Sequence, residues 1–253
     1  LRKLFGDINS YANPISQKER IMISEDNGYY KIVQNIAKED DIIPEKWVYF
    51  KSTSLPDRAA AITTGKHLAE IVQKVCDTHG YGKWPKQKMP PEEELDKAEK
   101  LVKTFLTEFF SKIDAYKDAL SNDPSEISDK RDKTHVKKWG LLFKPMPQVA
   151  LADTILYLKE ESDLDTNAIY RQINKIDWSW GSGSQFEGMV LTTDGTILTG
   201  SKIQKRLTSM IICWVLGKSK FVSTVGEDAF NKLTKDWRTT TNRKGDFPEV
   251  IYK

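Results

Sequence analysis

The sequence has few residues that form covalent or metal cross-links: two cysteines and three histidines among 253 residues. Secreted domains that rely on disulfides use more cysteines, in pairs. Cys76 and Cys213 instead lie in apolar stretches with helical spacing, which predicts buried thiols in a cytoplasmic protein. His79 is one helical turn from Cys76, but no second pair has the spacing that would complete a tetrahedral zinc site. We therefore predict no metal.

Long apolar runs and a strong charge imbalance are also absent. The longest apolar run, residues 210–216, is far shorter than the roughly 20 residues that cross a bilayer, so we expect no membrane contact. The formal net charge is only +3, with 30% charged residues, and it does not favour nucleic acid by itself. The chain opens at Leu1 rather than Met, with residues typical of a helix end. That opening predicts a fragment of a longer protein.

Sequence motifs of the common catalytic centres are missing as well. There is no Gly-x-Ser-x-Gly elbow, no Walker A loop and no dinucleotide fingerprint. The small residues 181–184 lack a strand-to-helix context and are typical of a loop. Most acidic residues fall in charge runs such as 39–41 and 92–94, which usually form solvated faces. We predict no catalytic residue and no cofactor in this chain.

Apolar residues spaced three and four apart predict several helices. One follows an N-cap at Thr63 or Thr64 and ends at Gly80, and a long one begins at Pro91. The apolar spacing of this long helix continues along one face to residue 116. Further helices are predicted over residues 29–37, 145–158 and 165–176, and from Ser201 to a stop at Gly217.

Strand signals are sparse. Residues 47–51 predict one short strand, and Asp194-Gly195 between β-formers predicts a hairpin with a type I′ turn. The fold class is therefore mainly α, a helical array with a small β-hairpin near residues 189–199. We divide the chain into an irregular segment, 1–62, which would continue from an N-terminal domain, and a helical domain, 63–253.

Basic clusters are the candidate contacts to double-stranded DNA, because lysine and arginine can follow a phosphate backbone. The candidates are Lys130, Arg131, Lys133, Lys137, Lys138, Lys202, Lys205 and Arg206. Lys218, Lys220, Arg238, Arg243 and Lys244 add positive charge to the tail. The alternative is an ordinary soluble surface, balanced by acids such as Asp129 and Asp132.

Two tryptophans, Trp178 and Trp180, can serve one of two roles. In an extended segment they point to the same side and would form an aromatic surface for a base or a partner protein. The more common role is to anchor the loop onto the helices.

Several segments in order resemble DndB and the wider DGQHR-domain family. The opening residues 4–9 and 12–16, the stretch 53–64, the aromatic helix 105–122 and the closing block 176–217 follow its pattern, the last most specifically. The residues that carry the resemblance include Asn9, Asn13, Ser16, Arg58, Asp177, Trp178 and Gly188. The Asp-Gly-Gln-His-Arg motif itself is absent, and by the resemblance it would lie upstream in a ParB-like domain.

The resemblance implies a role in bacterial DNA phosphorothioate modification, as a transcriptional regulator that binds DNA upstream of the modification genes. One alternative is a module that docks other proteins of a modification or restriction defence complex, with exposed Trp178 and Trp180 as anchors. Another is an accessory part of an enzyme completed by the upstream domain, with Asn9, Asn13 and Ser16 beside its site. Turn and cap chemistry is the more common role of such residues.

Overall fold

The computed structural model describes residues 27–38, 42–84, 88–130, 139–180 and 183–250. Helices dominate these ranges, so the predicted fold class, mainly α, is confirmed. In chain order they are α1 Gly28–Lys38, α2 Gly65–Thr78, α3 Glu92–Lys112, α4 Asp114–Leu120, α5 Ile127–Lys130, α6 Pro145–Glu161, α7 Thr166–Lys175, α8 Ser201–Leu216, α9 Lys218–Val225 and α10 Glu227–Thr241.

A two-stranded parallel sheet forms within the part of the chain that precedes α2. Strand β1, Val48–Tyr49, pairs with β2, Thr63–Thr64, in the register Val48 to Thr63. The first strand lies within the predicted segment 47–51. Thr64 also caps α2, because its hydroxyl accepts a hydrogen bond from the His67 amide at 3.3 Å.

The long helix predicted from Pro91 to residue 116 is divided in the structure. Ile113 has extended backbone angles, φ −87° and ψ 113°, and separates α3 from α4. The side chain of Asn174 bonds to both sides of the break: it donates to the Lys112 carbonyl at 2.8 Å and accepts from the Asp114 amide at 3.1 Å. A residue of another helix thus satisfies the backbone that the break exposes.

Helix α6 lies at the centre of the hydrophobic core. It packs against α2 and against α8, and its buried residues cover all of its faces. The small side chain of Ala150 allows α8 to approach α6 closely. The Ala150 carbonyl accepts a hydrogen bond from the Thr208 hydroxyl of α8 at 3.4 Å. Helix α1 packs against α2 and α3 within the same core. The domain division at residue 62 stays a prediction.

The predicted hairpin lies where the sequence placed it, although the turn type was wrong. Leu191 bridges Ile197, and Thr192 donates to the Thr196 carbonyl at 2.9 Å. Only Gly195 has a positive φ, 78°, whereas a type I′ turn needs positive φ at two residues. The arrangement is a three-residue loop with glycine in the left-handed position. The Thr192 and Thr196 hydroxyls bond the Asp194 carboxylate and hold its pKa below its ordinary value.

Gln148 is a buried polar residue that ties two loops to α6. Its amide donates to the Ile62 carbonyl at 2.8 Å and to the Leu142 carbonyl at 3.0 Å, and its side chain is 1% exposed. Tyr116 also donates to the Leu142 carbonyl, at 3.0 Å. The Ile62 carbonyl therefore depends on Gln148 more than the Leu142 carbonyl does.

Replacing Gln148 by leucine is expected to lower the free energy of unfolding by about 1–3 kcal/mol, because a buried carbonyl loses its donor. Urea denaturation measures this change. Gln73→Leu is the control, since Gln73 is an exposed residue of α2 and should change stability by less than about 0.5 kcal/mol. Equal changes in the two variants would contradict the assigned role.

Candidate nucleic-acid interface

A groove of about 280 Å³ lies between α8 and α10. It forms because both helices are amphipathic and pack their apolar faces on the core, α8 through residues such as Leu207 and Met210, α10 through Phe230 and Trp237. Side chains that flank these apolar faces line the groove, together with Leu233 of the apolar face of α10. They are Lys202, Lys205, Arg206, Ser209, Ala229, Lys232, Leu233 and Asp236.

Three lysines carry the free positive charge of this groove. Lys202 and Lys205 of α8 and Lys232 of α10 are exposed. None of the three forms an ion pair with any residue that the structure describes. The lining contains four cations and a single carboxylate, that of Asp236. The groove is therefore a site of concentrated positive potential.

Arg206 differs from these lysines because its side chain is only 8% exposed. It donates to the Met189 carbonyl at 3.1 Å, and its Nε lies 3.7 Å from an Asp236 carboxylate oxygen. Its Nε–H has no hydrogen-bond acceptor among the described residues. Arg206 thus connects the turn at Met189 to α10. Its side chain forms the floor of the groove, and the lysines lie at the rim.

A second groove, of about 520 Å³, lies between α2, α6 and the start of α8. Its lysines are neutralised: Lys66 pairs with Glu70 at 3.4 Å and Lys74 with Asp153 at 2.6 Å. Burial lowers the pKa of His67, so its imidazole adds no positive charge at neutral pH. This groove is the weaker candidate for an anionic ligand.

The predicted cluster around residue 130 stays a prediction. Lys130 is the last residue of α5, and its side chain lies outside what the structure describes. Arg131, Lys133, Lys137 and Lys138 lie outside the described residues altogether.

Three of the five basic residues of the tail are engaged in ion pairs, whereas Arg243 and Lys244 are exposed and form none with a described residue. Asp246 pairs with Lys218 at 2.6 Å and with Arg238 at 3.4 Å, and Lys220 pairs with Asp163 at 3.5 Å. The two Asp246 pairs hold the last described segment against α9 and α10, and the Lys220 pair joins α9 to the loop before α7.

Trp178 and Trp180 anchor the loop, and the idea of an exposed aromatic surface is wrong. The two side chains are 0% and 6% exposed. The Trp178 indole donates to the Ile173 carbonyl at 3.0 Å and stacks on Phe186 with 5.5 Å between ring centroids. The Trp180 indole donates to the Gly195 carbonyl. Both rings are enclosed by the segments that they join, so neither can serve as an anchor for a partner.

The other described residues that carry the family resemblance have local structural contacts. The buried Asp177 carboxylate accepts a hydrogen bond from the Ser179 amide at 3.0 Å. Gly188 has a φ of 79° and lies against Thr241 of α10. Arg58 is exposed. Asn9, Asn13 and Ser16 lie outside the described residues, and so does their predicted place beside a site.

Asp57, the neighbour of Arg58, is connected by a lysine to residues 177–180, the tryptophan segment. Asp57 pairs with Lys144 at 2.7 Å, and the Lys144 ammonium lies 4.0 Å from the centroid of the Trp180 ring. The Lys144 side chain is only 10% exposed. This contact links the loop before α2 to the tryptophan segment.

Sequence reasoning missed Lys232 and Asp236, because it predicted no helix after Gly217. The signal was present: Phe230, Leu233 and Trp237 are three and four apart and are buried in α10. The glycine that precedes this helix, Gly226, has a φ of 110° and separates α10 from α9.

The two thiols are buried, as predicted, and both are free. Burial raises the pKa of Cys76 and of Cys213 to about 12, so both remain protonated at neutral pH. Within the described ranges, no three His, Cys, Asp or Glu side chains gather closely enough to hold a metal ion. No described helix is both long enough and apolar enough to cross a membrane.

Residues 1–219 match the model of the DndB family, which is described as DNA-sulfur modification-associated. This match confirms the resemblance seen in the ordered segments. Helix α8 lies within the matched residues, and α10 lies beyond them. No curated protein and no solved structure matches the chain significantly.

Proposed function

The chain belongs to the DndB family of DNA-sulfur modification-associated proteins, and from that premise we propose that it binds duplex DNA as a regulator of the modification genes. The groove between α8 and α10 contacts the phosphate backbone. Lys202, Lys205 and Lys232 each approach a phosphate oxygen, and Arg206 holds the two helices together beneath them.

The observation that carries this proposal is the absence of ion pairs at the three lysines among the described residues. Lys66, Lys74 and Lys218, in contrast, each have a carboxylate partner. A lysine without such a partner retains its full charge for a phosphate, and its binding releases the counterions condensed on DNA. Three such lysines around one groove favour a polyanion over a neutral partner.

The regulatory part of the proposal rests on the family resemblance, which implies binding upstream of the modification genes. Contacts to phosphates set affinity and orientation but do not read the base sequence. The choice of target therefore depends on contacts other than these lysines. The interaction module and the accessory part of an enzyme remain alternatives, the former without Trp178 and Trp180 as anchors.

Replacing Lys202, Lys205 and Lys232 together by glutamine tests the proposal. Each lost phosphate contact should reduce the slope of log affinity against log salt by about 0.9. The triple variant should therefore lose about 2.7 units of slope and about two orders of magnitude in affinity near 0.1 M salt. Fluorescence anisotropy of the full chain, with a duplex from upstream of its own gene cluster, measures both quantities.

The matched control is the triple variant Lys66→Gln, Lys74→Gln and Lys218→Gln, which removes the same charge from paired lysines. It should retain most of the affinity and of the salt slope. Absence of DNA binding by the native chain, or equal losses in the two triple variants, would overturn the proposal.

A further inference from the structure

We infer that the carboxylate of Asp246 competes with a DNA phosphate for two cations, Lys218 and Arg238, and thereby limits the affinity of the chain for a duplex. This inference rests on the proposed binding of DNA. It concerns the side of α10 that faces α9, whereas Lys232 lies on the side that faces α8. The last described segment of the chain is then a built-in inhibitor of binding.

An open cavity of about 770 Å³ lies between α9 and α10. Lys218, the first residue of α9, and Arg238 of α10 each contribute a cation to its lining. Two carboxylates face the same cavity, those of Glu227 and Asp246. The formal charges of these four side chains cancel. With Asp246 in place, the cavity therefore has little attraction for an anion.

The Asp246 carboxylate engages both cations. Lys218 donates to one of its oxygens at 2.6 Å, and an Arg238 guanidinium nitrogen lies 3.4 Å from the other. The hydrogen bond from Lys218 and the two positive charges lower the pKa of Asp246, so the carboxylate is ionised at neutral pH. Glu227 forms no ion pair with any residue that the structure describes. Asp246 is therefore the group that neutralises the two cations.

The segment that carries Asp246, residues 245–250, is also held by contacts that do not involve its charge. Phe247 is 6% exposed and stacks on Trp214 of α8, with 5.8 Å between ring centroids. The Trp214 indole donates to the Pro248 carbonyl at 3.2 Å. These contacts place the carboxylate beside the two cations. Removing the charge of Asp246 therefore leaves segment 245–250 docked.

The ion pairs of Asp246 are exposed to solvent. The side chains of Lys218, Arg238 and Asp246 are 59%, 50% and 59% exposed. Exposed ion pairs contribute little to folding stability and are screened by salt. A phosphate oxygen accepts the same charge-assisted hydrogen bonds as a carboxylate oxygen, so a phosphate can replace Asp246 at little cost to the fold. The carboxylate thus lowers the affinity for DNA while it adds little stability.

A bound duplex is wide enough to meet both sides of α10. A helix with its side chains is about 10 Å in diameter, whereas the major groove alone is about 12 Å wide. A duplex held by Lys232 on one side of α10 therefore lies within reach of Arg238 on the other. Arg243 and Lys244, which are exposed, add positive charge beyond the end of the helix.

Asp246→Asn tests the inference, because it removes the charge and keeps the shape of the side chain. One or two additional phosphate contacts should make the slope of log affinity against log salt steeper by about 0.9–1.8 and raise the affinity roughly tenfold near 0.1 M salt. Fluorescence anisotropy of the full chain, with the duplex from upstream of its own gene cluster, measures both quantities. If the native chain binds and the variant has the same slope and affinity, the inference is overturned and the proposed function stands. Failure of both chains to bind overturns the proposed function and the inference together.

Asp153→Asn is the matched control. Asp153 pairs with Lys74 at 2.6 Å, the same distance as between Asp246 and Lys218, but that pair joins α6 to α2. The control should leave the salt slope nearly unchanged. An equal gain in the two variants would show that the loss of any acidic group strengthens binding, and it would overturn the inference. Asp246→Glu keeps the charge and should retain the native affinity.

Lys218→Gln shows whether the gain comes from the cations beside Asp246. In the native chain this change should have little effect on the slope, because Asp246 already neutralises Lys218. In Asp246→Asn it should reduce the slope by about 0.9, because the lysine is then available to a phosphate. Equal effects in the two backgrounds would contradict the inference. Thermal unfolding by circular dichroism should give similar midpoints for all of these variants, since exposed ion pairs add little stability.

Discussion

Replacing Trp178 by alanine is expected to lower the free energy of unfolding by about 3–5 kcal/mol, the range for removing a large buried aromatic side chain. The indole is fully buried, stacks on Phe186 and donates to the Ile173 carbonyl at 3.0 Å. Phe186 in turn packs edge-on against Trp214 of α8, with 5.4 Å between centroids. Loss of Trp178 therefore removes the stacking partner of Phe186, which itself packs against the helix that carries Lys202 and Lys205.

Urea denaturation measures this loss in stability. The variant Trp178→Phe separates the contribution of the indole hydrogen bond from that of the aromatic stacking. Phenylalanine retains most of the stacking but lacks the indole N–H, so it should cost about 1–3 kcal/mol for the unsatisfied Ile173 carbonyl and the smaller ring. If alanine and phenylalanine at this position had the same small effect, Trp178 would not anchor the loop.

Replacing Gly188 by alanine is expected to lower the free energy of unfolding by about 2–5 kcal/mol. The φ of 79° itself costs a residue with a Cβ about 1–2 kcal/mol. The new Cβ would also lie 2.7 Å from Cγ2 of Thr241 and 3.2 Å from the carbonyl oxygen of Thr240. Relieving this overlap requires α10 to shift, at about 1–3 kcal/mol.

Gly183 is the matched control for this substitution. It has nearly the same φ, 81°, but a Cβ there would meet nothing within 4 Å. Gly183→Ala should therefore cost only the backbone term, about 1–2 kcal/mol. Urea denaturation of both variants isolates the contact with α10, and equal losses would show that this contact does not matter.

The Gly188 variant also bears on the groove. Met189, the next residue, accepts the hydrogen bond from Arg206, and Arg206 faces Asp236 on α10. A displacement of α10 would change the distance between the lysines of the two helices. We expect Gly188→Ala to weaken duplex binding as well as folding, and Gly183→Ala to change binding less, in the same anisotropy assay.

Local patterns were sufficient to predict most of the helices. The apolar spacing before Gly80 and before Gly217 corresponds to α2 and α8, and Asp194-Gly195 marks the hairpin. Such features depend on neighbours within a few residues, so the sequence carries them directly. The break at Ile113 could not be predicted in this way, because the amide that stabilises it belongs to Asn174, about sixty residues later in the chain.

The candidate site was predicted in part. The helical period placed Lys202 and Lys205 together on the polar face of α8, and both are exposed in the structure. The same reasoning added Arg206, whose side chain is instead held by the Met189 carbonyl and faces Asp236. Whether a charged side chain of a helix reaches solvent depends on what covers that helix, which periodicity alone does not specify.

The sequence by itself determined the mainly helical class, the positions of its principal turns and the family to which the chain belongs. It did so because capping, apolar spacing and ordered motifs are properties of short segments. Only the tertiary structure decided that α10 lies against α8, that Lys232 joins Lys202 and Lys205, and that Arg206 forms a floor beneath them. These relations depend on contacts between residues far apart in the chain, and those contacts follow from the packing of the helices on a common core.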